Sequence, residues 1–209
     1  MSEPTLALTP KQTEIADAAL RVIGAQGITA LTTSTLAAEL GVSQGAPFRH
    51  FATRDEILEA VALQVEALVL NTFPACEGSP KDRINSLFKA RAGAVGRHTG
   101  IARLMFSDQF AMALPKPAAK RLKNLVNQTR SFLLDSLREG AAKGEFRTDL
   151  TPEALLPIVL GTLQHLVFAR SLGTAKEADV SNICATLFSL LSPPGPLKAS
   201  TPRNGPRTQ

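Results

Sequence analysis

The chain has 209 residues, 44% hydrophobic and 20% charged, which is enough apolar content for a folded core in one or two domains. Its net charge is +5 and its pI about 9.6, yet residues 1–60 carry four Lys/Arg against seven acids. The basicity therefore lies in residues 61–192 and in the last seventeen, which excludes a polyanion held by bulk charge at the N-terminal part. The opening MSEPTLALTPK lacks an apolar signal core. The most apolar stretch, Leu155 to Ala169, is too short for a membrane span and holds Pro157, Gly161, Gln164 and His165. Cys76 and Cys184 fit neither metal-ligand spacing nor a disulfide framework and read as buried free thiols. A cytoplasmic protein with no cofactor, no metal and no membrane partner is expected.

Alanine and leucine are abundant and convincing period-two runs are absent, so the fold class is expected to be all-α, with about nine helices. Thr9-Pro10, with Gln12 completing a capping box, predicts a first helix with Ile15, Ala19, Val22 and Ile23 inward, ended by Gly27. Leu36, Ala37 and Leu40 at helical spacing, followed by Gly41, predict a short second helix with a left-handed cap. Ser43 is placed to cap a third helix running to about Phe51. Thr53 with Glu56 predicts a capping box for the fourth, which carries Ile57, Leu58, Val61, Val65 and Leu68 toward Phe73 and Pro74.

Ser79-Pro80-Lys81-Asp82 predicts the start of a fifth helix that loosens around Gly93, Gly96 and Gly100. A short sixth spans Ile101 to about Ala113, and Pro115 and Pro117 lead into a long seventh ending near Gly140 or Gly144. Thr151-Pro152-Glu153 opens the eighth. Thr174 with Glu177 reads as a capping box for the ninth, which ends before Pro193-Pro194. Residues 193–209 hold five prolines and three cations and read as a disordered basic tail. The expected organisation is an N-terminal helical unit over 1–56, a second helical unit over 57–192, and the tail.

Two short helices joined by a tight turn with a glycine form a helix-turn-helix, whose second helix is sized for the major groove of double-stranded DNA. Gln44, Arg49 and His50 can bond base edges or phosphates, and Arg54 stands where it can grip a phosphate. Thr32, Thr33 and Ser34 open the second helix, where hydroxyls and free N–H groups favour an anion. Ser43 caps the reading helix, and Gly45, Ala46 and Pro47 keep its front small for close approach and contact with a thymine methyl. The alternative is a helical hairpin whose Arg and His are merely solvated.

The stretch TTSTLAAELGVSQGAPFRHFATRDEIL, preceded by TEIADAALRVIGAQGITAL, resembles the tetracycline-repressor (TetR) family of bacterial regulators over about Lys11 to Leu63. Phe48 departs from the pattern, since the family usually has a phosphate-contacting tyrosine there and this chain has no tyrosine. Arg54 stands where the family more often has lysine. The resemblance implies a three-helix DNA-binding head, a helical regulatory and dimerisation domain, and repression relieved by a small-molecule effector. It equally admits an architectural or cell-division factor that acts through a protein partner. A small helical enzyme is the other alternative, and the absence of a nucleophile elbow, P-loop or metal cluster speaks against it.

Leu156, Val159, Leu160, Leu163, Leu166 and Val167 spread widely around the eighth helix, and Ile183, Leu187, Leu190 and Leu191 stripe the ninth. Either these helices are buried within a monomer or they form a two-fold homodimer, which implies a palindromic operator. Phe88, Arg91, Met105, Phe106, Phe110, Leu125, Gln128, Thr129, Phe132, Gln164, His165 and Phe168 are either ordinary core or the lining of a mostly apolar effector cavity. The cation-rich runs Lys81 to Arg103 and Lys116 to Arg130 are either solvated faces or a bias toward an anionic, amphipathic effector such as an acyl thioester or aromatic acid.

Overall fold

The structure, a computed structural model, describes residues 8–75, 77–106 and 112–194, apart from the side chains of Arg103 and Phe106. Expectations for Cys76, for Phe110, for the Phe106 side chain and for residues 195–209 lie outside the described residues. Within them the chain is all-α and built on eight α-helices: α1 (Pro10–Gln26), α2 (Thr33–Leu40), α3 (Arg54–Leu70), α4 (Pro80–Ala94), α5 (Thr99–Phe106), α6 (Lys116–Ala142), α7 (Pro152–Ser171) and α8 (Glu177–Leu191). The segment expected as a third helix is instead a single 3-10 turn, Pro47–Arg49.

Local capping explains most of the boundaries. Thr9 accepts from Gln12 N and the Gln12 side chain accepts from Thr9 N, which starts α1. At α3, Thr53 accepts from Glu56 N, while the Glu56 carboxylate reaches one residue further back, to Ala52 N, at 2.7 Å. Thr151 caps α7. The expected Thr174–Glu177 box is not how α8 begins. The N–H and hydroxyl of Thr174 both donate to the Ala169 carbonyl, closing the end of α7 past Gly173. Lys176 is the N-cap of α8, and its N–H donates to the Asp179 carboxylate. Thr174 stands two residues before this N-cap, outside the position from which a side chain starts the helix.

The core is one continuous cluster, from Ile15 to Leu191, and it does not break at residue 56. α1 packs on α2, α3 and α5, α3 packs on α6, and α4 lies against α6, α7 and α8. α3 therefore belongs to both halves of the molecule. Its Gln64 donates to the Thr13 carbonyl of α1. Its Glu59 carboxylate accepts from Ala118 N in the first turn of α6, where the helix dipole favours a negative charge. Its Glu66 pairs with Arg121 at 3.0 Å.

A second link between the halves was not expected from the sequence. Gly24 of α1 and Gly100 at the start of α5 meet so closely that a Cβ on Gly100 would lie 2.1 Å from the Leu20 carbonyl oxygen. The glycine run that reads as loosening of a helix is in part a close helix crossing.

α7 is the helix among the described residues long and apolar enough to cross a membrane by length and composition. It packs on α4, α5 and α6. Leu156, Val159, Leu163, Leu166 and Val167 are buried there within the chain, so they are not the outward face. Ile158 (55% exposed), Phe168 (43%) and the C-cap residue Leu172 (50%) are exposed instead, and Leu190 of α8 is 61% exposed. Leu187 and Leu191 are buried.

Candidate nucleic-acid interface

α2 is fixed at both ends. Thr32 accepts from Thr35 N at 3.2 Å, Thr32 N donates to the Thr35 hydroxyl at 2.9 Å, and the Ser34 hydroxyl lies 3.0 Å from that of Thr32. Thr35 also donates to the Ala30 carbonyl at 2.6 Å, which anchors the helix start to the preceding turn. At the other end Gly41 adopts φ 65°, ψ 32°, a left-handed conformation that suits glycine. Gly41 N and Val42 N donate back to Ala38 and Ala37, which closes the last turn and redirects the chain. Thr32, Thr33 and Ser34 are all exposed at this N-terminus, where the first helical N–H groups have no partner within the helix.

The segment after the turn is more irregular than a helix. Ala46 N donates to the Ser43 carbonyl, Arg49 N to Ala46 and His50 N to Pro47, all with 3-10 spacing. At this start it is the Ser43 carbonyl, not its hydroxyl, that accepts. The cause is legible in the residues. Gly45 weakens a helix and Pro47 has no N–H to give, while Ala46 before it keeps helical φ −64°, ψ −42°. Ser43, Gln44, Gly45, Arg49 and His50 are exposed and Ala46 is half-buried. Pro47 is buried, so it belongs to the packing beneath the surface rather than to its front. Gln12 of α1 donates to the His50 carbonyl at 3.2 Å and holds the far end of the segment in place.

Arg54 and Phe48 make contacts within the head. Arg54 Nε donates to the Leu31 carbonyl at 3.0 Å and Nη2 to the Ile28 carbonyl at 2.9 Å. Its guanidinium thus closes the 3-10 turn Ile28–Ala30, which precedes α2. Phe48 packs half-buried against the core beside Leu36, Ile57 and Arg54. The other cations of the head are placed as follows. Lys11 pairs with Glu14, Arg21 pairs with Glu39 at 2.5 Å, and Arg49 stands exposed on the reading turn next to His50.

The second candidate site is a small cavity, about 30 Å³, between α4, α5, α6 and α7. Arg91, Met105, Thr129 and Gln164 line it, with Val95, Val126, Leu160, Leu163 and Val167, aliphatic residues that nothing in the sequence separates from other core positions. Phe88 and Leu125 are buried in the surrounding core, and Phe132 packs edge-on against Phe73 at 5.5 Å. Gln128, His165 and Phe168 are exposed and do not line it. They lie on other faces of their helices, about 100° per residue from neighbours that point inward. No group of His, Cys, Asp or Glu fit to hold a metal occurs among the described residues.

Comparison with known proteins agrees with this geometry. The profile for bacterial regulatory proteins of the tetR family matches residues 15–61. The nucleoid occlusion factor SlmA of Idiomarina loihiensis is 30% identical over 133 residues, covering 62% of this chain and 67% of that protein. The HTH-type transcriptional repressor KstR2 of Mycobacterium tuberculosis is 22% identical over 152 residues, covering 71% of this chain and 76% of that protein. Its solved structure superposes with a TM-score of 0.76 at 19% identity, over 89% of this chain and 97% of that one. AibR, solved in complex with isovaleryl coenzyme A and operator DNA, superposes with a TM-score of 0.71 at 14% identity, over 88% and 100% of the two chains. On its helix-turn-helix, its all-helical fold and these relatives, the chain belongs to the tetR family of bacterial regulatory proteins.

Proposed function

We propose that the protein is a cytoplasmic, homodimeric repressor that reads a palindromic operator and leaves it when a small molecule enters the cavity beneath α4, α6 and α7. The observation that carries DNA reading is the exposed surface Ser43, Gln44, Gly45, Arg49 and His50, held in one orientation by the Gly41 turn and by Gln12. Thr32, Thr33 and Ser34 at the start of α2 supply donors for a flanking phosphate, and Ala46 gives a small apolar contact. Arg54 acts through the backbone it clamps. The homodimer is supported by Ile158, Phe168 and Leu172 on α7, which follow one another on a face shared with Gly161 and His165 at spacings of three and four residues, and by Leu190 on α8. That spacing is the seam by which helices pair. Repression is supported by KstR2, named a transcriptional repressor, and response to a small molecule by AibR, solved with isovaleryl coenzyme A.

The test is Arg49→Ala in a DNA-binding titration on duplexes that the wild type enriches from a random pool. A base contact predicts a loss of about 1–3 kcal/mol, with relaxed preference at one position of each half-site. Wild-type affinity and preference in the variant would remove Arg49 from the reading surface.

SlmA, a nucleoid occlusion factor by name, favours a second reading, in which the same head marks many chromosomal sites and recruits a protein partner. Mapping occupied sites on the chromosome separates the two: a local repressor occupies few, a nucleoid-associated factor many.

A further inference from the structure

Arg91 is 3% exposed and is one of the residues that line the cavity. Its partners are all neutral. Nε donates to the Thr72 hydroxyl at 2.5 Å, Nη1 to the Thr129 hydroxyl at 3.4 Å and Nη2 to the Val69 carbonyl at 3.4 Å, and the group lies 5.1 Å from the centre of the Phe73 ring. Among the described residues no carboxylate pairs with it, whereas Arg83, two turns earlier on α4, pairs with Glu139. Burial pushes its pKa down to about 10, so the charge is still present at neutral pH. A buried cation with no counter-charge and two long hydrogen bonds is costly, and the residues around it offer an apolar wall, one hydroxyl and one amide.

We propose that Arg91 is the anion receptor of the effector cavity and that the effector carries its charge as a carboxylate on an apolar body; this rests on the effector-responsive reading above. A carboxylate matches the guanidinium fork with two parallel charge-assisted bonds. The acyl group of a thioester, being neutral, would leave the buried charge unpaired. The same side chain also links recognition to release. Val69 and Thr72 are the last turn of α3 and the residues just past it, and Thr72 itself donates to the Val69 carbonyl at 2.6 Å. A carboxylate that draws the guanidinium into a bidentate pair takes its donors away from Val69 and Thr72. This loosens the end of the helix whose other end, through Arg54, holds the reading head. A cavity of about 30 Å³ has room for a water molecule or two, so the ligand's apolar body enters only as the walls part. Ligand and operator then favour different arrangements.

The test uses the full-length protein, as wild type, R91M and R91K. The probes are straight-chain and aromatic monocarboxylates of about four to twelve carbons, a size range set by ordinary ligand cavities. Each is paired with its primary amide and its coenzyme A thioester, and binding is followed by calorimetry and by melting temperature. At least one carboxylate is expected to bind the wild type, with its amide weaker by about tenfold or more. R91M, folded by circular dichroism, is expected to lose that preference, and R91K to keep part of it. R91M without ligand is also expected to exchange the Thr72 and Phe73 amide hydrogens faster than wild type. Equal binding of acid and amide, or carboxylate binding unchanged in R91M, overturns the receptor role and leaves the effector cavity standing. Thioester binding that is the same in wild type and R91M has the same meaning. Absence of binding in every arm overturns the effector reading together with this one.

Discussion

Arg54 ties the reading head together through backbone bonds. Its donors hold the Leu31 and Ile28 carbonyls, 23 and 26 residues earlier in the chain, and so lock the turn that aims α2. Hydrogen bonds from a charged donor are worth about 1.5–3 kcal/mol, so Arg54→Ala should lower unfolding stability by an amount in that range. Denaturant titration reads this directly, and an unchanged midpoint would return Arg54 to the role of a solvent-facing phosphate contact. The sequence makes Arg54 visible as a placed cation and not as a backbone clamp, because its partners are set by which turns meet in three dimensions. The caps at Thr9, Thr32 and Thr53 are legible for the opposite reason: donor and acceptor lie three residues apart. Arg91 reads as one pocket candidate among several. Its lack of a carboxylate follows from the surroundings of α4, which periodicity does not encode.

At the scale of elements, the same division separates what the sequence shows from what it hides. α2 and its left-handed Gly41 follow from three apolar positions and one glycine. The reading segment carries helical spacing in its residue types, yet Gly45 and Pro47 reduce it to one 3-10 turn. Thr174 has the spacing of a cap and spends its hydroxyl on α7. The crossing of α1 over α5 depends on Gly24 and Gly100, and a side chain at position 100 would meet the Leu20 carbonyl, which is backbone and cannot swing aside. Gly100→Ala should therefore push the two helices apart and cost about 1–3 kcal/mol, the usual range for overpacking. Thermal unfolding measures the loss. A melting temperature equal to wild type would mean that the α1–α5 contact is slack and contributes little to joining the head and the body.

For the whole molecule, these contacts define a path rather than two loosely joined domains. α3 is held by α1 through Gln64, by α6 through Glu59 and Glu66, and at its last turn by Arg91. Its first turn carries the Arg54 clamp on the reading head, so the proposed effector would act on the head through this helix. A coupling of about 1–3 kcal/mol along this path changes operator affinity by roughly 5- to 150-fold, which is sufficient for a switch. Ile158, Phe168, Leu172 and Leu190 are exposed apolar residues, and in the proposed homodimer two-fold symmetry would fix the form of the site that two heads can read. The most direct test of the account is selection of bound duplexes from a random DNA pool with the purified full-length protein at near-physiological salt. The account predicts a palindromic consensus with half-sites spaced by about one helical turn or a multiple of it. Recovery of no shared motif by the folded protein would contradict it.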